Sequence, residues 1–239
     1  MIKEAIKEIV AMAVPNEIDY EGRKFTDKHM TALPRDIQVN GLNTNTLSSV
    51  VDYIKEGTEA NILAKNRFII HVESPGKVFL FKEMNVDKVR DCLINAHSKE
   101  SKFAFGRFMD LETFIINLQS NFVHDENIKS LLSFVGSIKD DTSVTQEDDG
   151  ITQRITAKSG ISLARTTSVP NPITLCPYRT FSEIEQPQSA FVFRLKKESN
   201  GIYAALFEAD GSAWENEAIL AIKQYFKKTL SSENVIILA

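Results

Sequence analysis

The sequence predicts an α+β protein in which antiparallel or mixed sheets pack against amphipathic helices. Apolar residues recur at helical spacing in several segments, most clearly in residues 110–138 and 212–230, and this spacing is typical of helices with one buried face. Strand-like apolar runs are joined by the short turns Ser74-Pro75-Gly76 and Asn200-Gly201. Turns this short join antiparallel strands, so hairpins are expected on both sides of the middle of the chain.

The composition narrows the class of protein. The chain has 239 residues, of which 43% are hydrophobic and 25% are charged, and these values are ordinary for a folded globular protein. Its net charge of -4 argues against general affinity for nucleic acids through bulk electrostatics. No apolar run approaches membrane-spanning length, and the two cysteines, Cys92 and Cys176, are far apart. We therefore expect a cytoplasmic protein, with no membrane partner and with both thiols reduced and in the core.

The amino-terminal elements are predicted from periodicity and from residues that end helices. Residues 2–13 should form an amphipathic helix that Pro15 ends, and a hairpin is expected around Glu21-Gly22. Thr44 can cap a second helix and Gly57 can end it. The apolar stripe of that helix consists of Leu47, Val50, Val51 and Ile54.

A sheet and a third helix are expected next. The runs at 68–70 and 78–81 are apolar on both faces, which predicts a sheet that is covered on both sides. The polar segment 98–102 then separates a small unit, residues 1–100, from a larger unit, residues 101–239. The third helix is predicted by the spacing of Val86, Val89, Leu93 and Ala96.

The larger unit is expected to combine helices with an antiparallel sheet. Asp110 and Asp125 are each placed to cap a helix, and these two helices should form a helical hairpin. A final helix should open with a capping box from Ser212 to Glu215, before a short closing strand at 235–238. A sheet built from residues 173–207 is expected to pack against the helices at 110–138 and 212–230.

A projecting β-hairpin is predicted near residues 140–158, where Asp149-Gly150 is a strong turn signal. Its flanks are rich in threonine and poor in apolar residues, so the hairpin has little surface to bury and is marginal by itself in water. Because exposed strand edges readily pair with other chains, we expect these residues to form an arm that makes the protein a homo-oligomer.

Motifs for catalysis and for metal or cofactor binding do not occur in the sequence. The four histidines are widely spaced and there is no paired-cysteine motif, so no metal and no cofactor are expected. No glycine-rich segment links a strand to a helix, and Cys176 is interpreted as a core thiol rather than a nucleophile. We therefore expect a binding protein, with an enzyme of unrecognised type as the less favoured alternative.

The candidate ligand site lies in the proline-rich segment that follows residue 169. In an extended chain Arg179 and Glu183 face the same way, so the two side chains could form an ion pair. Arg179 could instead be reserved for a phosphate or carboxylate ligand, or for a subunit contact. The ligand-binding residues predicted here are Tyr178, Arg179, Glu183 and Glu185.

A candidate nucleic-acid site lies where basic and aromatic residues interleave. Such a pattern can bind single strands by stacking on bases and by contacting phosphates. The alternative interpretation is that the phenylalanines belong to a core strand. The residues concerned are Lys99, Lys102, Phe103 and Arg107.

Four segments carry a family resemblance: FGRFMDLETFIINLQSNF at 105–122, DDGITQ at 148–153, VPNPITLCPYRTFSEIEQPQSAFVFR at 169–194 and ALFEADGSAW at 205–214. On these segments the chain resembles a family of phage and prophage proteins of unknown function (YfdQ-like), which is common in phages of Gram-positive bacteria. The resemblance implies an early or accessory phage gene product, often found near replication and recombination functions. It implies no catalytic residues, because the family is uncharacterised.

The residues and the resemblance together lead to one hypothesis and two alternatives. We expect a non-enzymatic phage accessory protein in the cytoplasm of the host bacterial cell, which self-associates and binds a ligand or partner. The first alternative is an accessory factor for phage DNA replication or recombination that binds single-stranded DNA. The second is an anti-defence protein that sequesters a small nucleotide signal or blocks a host defence protein.

Overall fold

The protein has an α+β fold, as the sequence predicts, and the chain divides into two compact units, Met1–Gln38 and Val39–Ala239. The division near residue 100 that the sequence suggests stays a prediction. The structure, a computed structural model, describes residues 2–15, 17–20, 23–27, 40–56, 67–84, 88–99, 103–138, 143–148, 153–158 and 167–239.

The first unit consists of one helix and one hairpin in its described residues. Helix α1 spans Ile2–Ala13, and the antiparallel strands β1 (Glu17–Tyr20) and β2 (Arg23–Thr26) follow it. Both elements confirm the predicted helix and hairpin, and Glu21-Gly22, where the turn was predicted, lies outside the described residues. The apolar stripe of α1 is solvent-exposed at Ile2, Ile6, Ile9, Val10 and Met12.

The second unit contains a mixed five-stranded sheet. Strands β4, β5 and β6 are antiparallel neighbours, whereas β3 adds to β6 and β14 adds to β4 in parallel. The strands are β3 (Leu42–Thr44), β4 (Phe68–Ser74), β5 (Lys77–Lys82), β6 (Cys92–His97) and β14 (Val235–Leu238). The predicted closing strand therefore pairs with a strand from the first half of the chain.

Two helices cover one face of this sheet. Helix α2 (Ser48–Glu56) confirms the second predicted helix, although Gly57 lies outside the described residues. Helix α5 (Ala213–Thr229) packs into the same hydrophobic core. The cover expected from the sequence is thus present on this side of the sheet. The core on that side includes Val50, Ile54, Ile70, Leu80, Ile222 and Phe226.

The third predicted helix is wrong in its second half, because residues 92–97 form strand β6. A register shift between β5 and β6 at Leu80/Phe81 leaves Leu93 without a cross-strand partner, and both Leu93 and Ile94 are buried. Such a bulge breaks the strict alternation of a strand. The resulting spacing of apolar residues resembles that of a helix.

A four-stranded antiparallel sheet forms the second core. Its order is β11-β12-β13-β7, with β7 at Met109–Asp110, β11 at Ile173–Leu175, β12 at Ser189–Glu198 and β13 at Gly201–Glu208. Helices α3 (Leu111–Asn121) and α4 (Glu126–Gly136) pack against one face. Six buried phenylalanines fill the space between them, namely Phe103, Phe114, Phe122, Phe134, Phe191 and Phe193.

Both predicted caps of the helical hairpin are confirmed. Asp110 Oδ1 accepts a hydrogen bond from Thr113 N at 2.9 Å, and Asp125 Oδ1 accepts one from Ile128 N at 2.8 Å. Each carboxylate satisfies a backbone donor that the first turn of a helix leaves free.

Two expectations for the last helix are wrong. The buried face of α5 covers the five-stranded sheet, where Phe226 and Ile222 pack with Ile70, rather than the sheet at 173–207. An amphipathic pattern specifies a buried face but not the surface that covers it. Ser212 has a left-handed backbone with φ of 62° and makes no side-chain capping hydrogen bond, so the expected capping box does not form.

The hairpin predicted near residues 140–158 is confirmed in its two strands, and a third strand extends it; Asp149 and Gly150 lie outside the described residues. Strands β8 (Ser143–Asp148) and β9 (Gln153–Lys158) are antiparallel, and β10 (Thr167–Val169) pairs with β9 on the other side. Val169, which ends β10, is 2% exposed and belongs to the core of the four-stranded sheet. The three-stranded sheet is therefore anchored through β10. No helix in the described part of the chain is both long and apolar enough to span a bilayer.

Candidate functional site

An open cleft of about 620 Å³ lies where the two large sheets meet. One wall comes from the β4–β5 turn and the end of β6, and the other from the end of β13 and the first residues of α5. Aromatic, basic and acidic side chains all face the cleft. The residues that carry these groups are Lys77, His97, Phe103, Phe105, Arg179, Glu208, Trp214 and Glu215.

Arg179 is held between the two walls. Its side chain is only 6% exposed, and its Nη1 donates to Glu208 Oε1 at 2.7 Å. Its Nη2 donates to Ser189 Oγ, and that hydroxyl donates in turn to Asp210 Oδ2 at 2.6 Å. The guanidinium carbon lies 3.9 Å from the centroid of the Trp214 ring, a close cation–π arrangement. The arginine thus joins β12, β13 and the start of α5.

Burial lowers the pKa of the Arg179 guanidinium from its ordinary value, and the carboxylates of Glu208 and Asp210 oppose this effect. An arginine so paired stays charged at neutral pH. Its Nε is fully buried and has no hydrogen-bond partner. Both terminal nitrogens of Arg179 thus donate to groups inside the protein, while the Nε donor is buried and unpaired.

The backbone around Arg179 is fixed by the buried side chain of Gln186. Gln186 Oε1 accepts from Arg179 N at 3.0 Å and from Thr180 N at 3.3 Å, and its Nε2 donates to Phe181 O at 3.0 Å. Thr180 Oγ1 donates to Pro75 O at 2.5 Å, which ties the segment to the β4–β5 turn. Residues 179–186 therefore form a rigid connection between the two sheets, and the cleft lies beside it.

Glu183 caps helix α2 instead of pairing with Arg179. Its Oε1 accepts from Leu47 N at 2.6 Å and from Ser48 N at 3.1 Å. The expected ion pair is wrong because the chain turns after Phe181, where Ile184 N donates to Phe181 O, and does not continue as an extended strand. A carboxylate at this position is favoured by the free amides and by the dipole of the helix.

The four residues of the predicted ligand site separate in the folded chain. Arg179 lines the cleft, whereas Tyr178 is 46% exposed and donates its backbone N–H to Asn121 O. Glu185 is also exposed, and neither it nor Tyr178 nor Glu183 lines the cleft. The structure therefore brings one of the four to the cleft.

The predicted nucleic-acid site contains both core and surface residues. Phe103 is 5% exposed and packs edge-on against Phe122, with ring centroids 5.1 Å apart. A ring buried in this way offers no free face to a base, so its position agrees with the core alternative. Lys99 and Arg107 are exposed, and Lys102 lies outside the described residues.

Sequence reasoning missed most of the residues that line the cleft. Lys77 and His97 are cross-strand partners on β5 and β6, and Lys77 Nζ lies 2.8 Å from Glu73 Oε2. Trp214, the single tryptophan of the chain, is the one residue whose rarity was a usable signal. The others are common residue types that only the fold brings together.

The two cysteines are free thiols. Cys176 is buried and Cys92 half-buried, and burial raises the pKa of both thiols above the ordinary value. A raised pKa keeps a thiol protonated, which makes it a poor nucleophile. Within the residues that the structure describes, no three His, Cys, Asp or Glu side chains converge as a set of metal ligands.

Comparisons with known proteins do not identify the chain. No model of a protein family matches it, and neither a curated protein nor a solved structure is similar to it.

Proposed function

We propose that this protein is a non-enzymatic phage accessory protein of the bacterial cytoplasm, which self-associates and holds a ligand in the cleft beside Arg179. The observation that carries the proposal is the cleft itself, where Trp214 is fixed against a buried arginine. The phage origin rests on the resemblance of the four segments that include residues 169–194 and 205–214.

The cleft suits a small polar ligand that has a planar group. Its volume of about 620 Å³ falls in the range of small-molecule sites, which combine apolar walls with a few placed polar groups. Phe105 and Trp214 supply ring surfaces, and neither is fully buried. Lys77 and His97 on one wall face the carboxylates of Glu208 and Glu215, so groups of either sign on a ligand find a partner.

Preorganisation supports binding at this place. Trp214 needs no rearrangement to present its ring, because Arg179 already fixes it and Gln186 fixes Arg179. A rigid site loses little conformational entropy when a ligand binds, and this raises affinity.

The test is native mass spectrometry of the purified protein, before and after denaturation. We expect a bound small molecule that is released on unfolding, and its occupancy should fall in Trp214→Ala and in Lys77→Ala. Tyr178→Ala and Lys82→Ala are matched controls, because neither residue lines the cleft. A protein that carries no small molecule, and whose melting temperature does not respond to cell extract metabolites, would rule out the ligand-binding role.

The self-association part of the proposal rests on the β8–β9 hairpin. β8 has β9 on one side, and among the described strands nothing pairs with its other side. An edge of this kind can accept a strand of a second subunit. Deleting residues 142–156 and closing the gap with a short glycine linker should leave a folded protein of lower mass in light scattering. A monomeric intact protein, or an unchanged oligomer after the deletion, contradicts the proposed arm.

The two narrower roles separate in simple binding experiments. Salt-sensitive retention of single-stranded DNA would favour an accessory factor for phage replication or recombination. Release of a nucleotide from the denatured protein would favour an anti-defence protein that sequesters a nucleotide signal. A host protein captured from infected cells by the intact protein, but not by an unrelated phage protein, would favour a block on a host effector.

A further inference from the structure

The outer face of the four-stranded sheet carries aromatic and basic side chains. Along β12 the residues alternate between buried, such as Phe193 and Leu195, and at least partly exposed, such as Arg194 and Lys196. The inner set packs against α3 and α4, so the other set points away from the core. The rings and cations on or beside the outer face are Arg107, Phe108, Arg194, Lys196, Tyr203 and Phe207.

All of these side chains except that of Arg107, which precedes Phe108 in sequence, form one continuous patch. Phe108 and Phe207 meet edge to face with centroids 6.0 Å apart, and Lys196 Nζ lies 6.0 Å from the Phe108 centroid. Lys196 is the cross-strand partner of Tyr203, and Arg194 precedes it by two residues on the same face. The six residues can therefore contact a single extended ligand.

The patch is open to solvent and has a surplus of positive charge. Phe108 is 41% exposed and the side chain of Lys196 is 56% exposed, while Arg194, Tyr203 and Phe207 are half-buried. Glu198 pairs with Lys196 at 2.7 Å and offsets part of its charge. Arg107 and Arg194 remain as cations beside the rings. A local surplus of this kind can attract an anion even in a chain whose net charge is -4.

We infer that this sheet face binds a short stretch of single-stranded nucleic acid. An open antiparallel sheet whose rings stack on unpaired bases, with neighbouring cations on the phosphates, is a recurring solution for single strands. None of the six residues lines the cleft, so the inference stands independently of the ligand-binding role. Arg107 belongs both to this sheet face and to the nucleic-acid site predicted from the sequence. Phe103, the ring of that predicted site, is buried, and the rings on or beside the sheet face take its place.

The outer face of the five-stranded sheet is less suitable for binding single strands, although it also carries rings and cations. Its rings Phe79 and Phe81 are half-buried, and Lys77, which lies 4.8 Å from the Phe79 centroid, is paired with Glu73. The four-stranded sheet offers the more accessible ring, because Phe108 is 41% exposed.

The test is fluorescence anisotropy with labelled oligo-dT and oligo-U of about 12 nucleotides. At about 50 mM salt we expect binding that weakens steeply by about 200 mM, because phosphate contacts release counterions. Arg194→Glu combined with Lys196→Glu should lower the affinity by at least about tenfold and flatten the salt dependence. Phe207→Ala should lower it by about fivefold or more, the effect of one lost stacking ring.

The control is Lys129→Glu, a single charge reversal on α4, the helix that covers the opposite face of the same sheet, and it is compared with Lys196→Glu alone, which changes the net charge equally. Lys129→Glu should leave the affinity unchanged, and circular dichroism of each variant establishes that the fold is intact. Equal affinity for the two oligonucleotides assigns the site to single strands in general, and a preference for one assigns it to DNA or RNA. Absence of binding at about 50 mM salt, or equal affinity of the double variant and wild type, overturns the inference.

Discussion

The four-stranded sheet takes its strands and both of its covering helices from residues 109–208, whereas the five-stranded sheet takes its elements from both ends of the second unit. Strands β4 to β6 come early, but α5 and β14, which complete their core and edge, are the last elements of the chain. The four-stranded core thus comes from one continuous part of the chain, residues 103–206. The five-stranded core combines residues 47–96 with residues 181–230.

The connecting segment 179–186 shows the same difference between the two cores. It follows β11 of the four-stranded sheet, yet Phe181 is buried in the core of the five-stranded sheet and Glu183 caps α2 there. The caps of α3 and α4, in contrast, are Asp110 and Asp125, which directly precede their helices. The helix caps of the four-stranded core are therefore local, whereas the five-stranded core takes a cap and a buried ring from a distant segment.

The largest effect is expected when each core loses a buried ring. Phe226→Ala in the five-stranded core and Phe193→Ala in the four-stranded core should each lower the free energy of unfolding by about 3–5 kcal/mol, because both leave a cavity. Since residues 179–186 join the cores, both variants should shift a single urea transition, measured by tryptophan fluorescence and by circular dichroism. Two separate transitions in wild type would show that the cores unfold independently.

Arg179→Ala should have the next largest effect and lower the free energy of unfolding by about 2 kcal/mol. The substitution leaves Ser189 and Glu208 without their donor and frees the ring of Trp214, but Glu208 is 42% exposed and recovers part of its solvation. Arg107→Ala, at an exposed position, is the control and should stay within about 0.5 kcal/mol of wild type in urea unfolding.

Glu183→Ala tests the cap that a distant residue provides to helix α2. The substitution should lower the free energy of unfolding by about 1 kcal/mol, because Leu47 N and Ser48 N lose their acceptor. Glu185→Ala removes the same charge two residues away at an exposed position and should change stability by less than about 0.5 kcal/mol. Equal effects of the two substitutions on the urea midpoint would mean that the cap contributes nothing.

Removing the charge of Asp110, the local cap of α3, should change stability least, and the change should depend on pH. Hydrogen bonds from Thr113 lower the pKa of Asp110 below its ordinary value in the folded protein. The stabilisation is therefore present above the unfolded pKa of about 3.9 and is lost as the pH falls through the lower folded value. Asp110→Asn keeps a capping side chain that does not titrate, so its urea midpoint relative to wild type should rise as the solution is acidified. A pH-independent difference would contradict this account.

Features that depend on nearby residues are predictable from the sequence, and features that depend on distant residues are not. The caps Asp110 and Asp125 and the pairing of β8 with β9 are recognisable because the partners lie within a few residues. Residues 92–97 resemble a helix in sequence because the bulge at Leu93 in β6 changes the spacing of its buried residues. The helix at 213–229 was found from its own periodicity, but its partner sheet was wrong, since nothing in an amphipathic stripe identifies the surface that covers it.

The candidate site depends even more on contacts that the sequence does not reveal. Arg179, a predicted ligand-binding residue in the proline-rich segment, does line the cleft. Its partners Glu208 and Trp214 lie on other elements, and nothing in the sequence links either of them to Arg179. Glu183 was expected to pair locally, and its true partners on α2 lie more than a hundred residues earlier. Side-chain networks of this kind depend on tertiary contacts.

The late arrival of α5 has a consequence for biosynthesis. The ribosome releases the chain from its amino terminus, so β4 to β6 emerge well before Phe181, Ile222 and Phe226 exist to cover them. During that interval the nascent chain presents an apolar sheet face that only α2 can partly shield. A protein built this way should be sensitive to translation rate and to ribosome-associated chaperones. Slow expression at low temperature with added chaperones is the condition in which we expect the best yield.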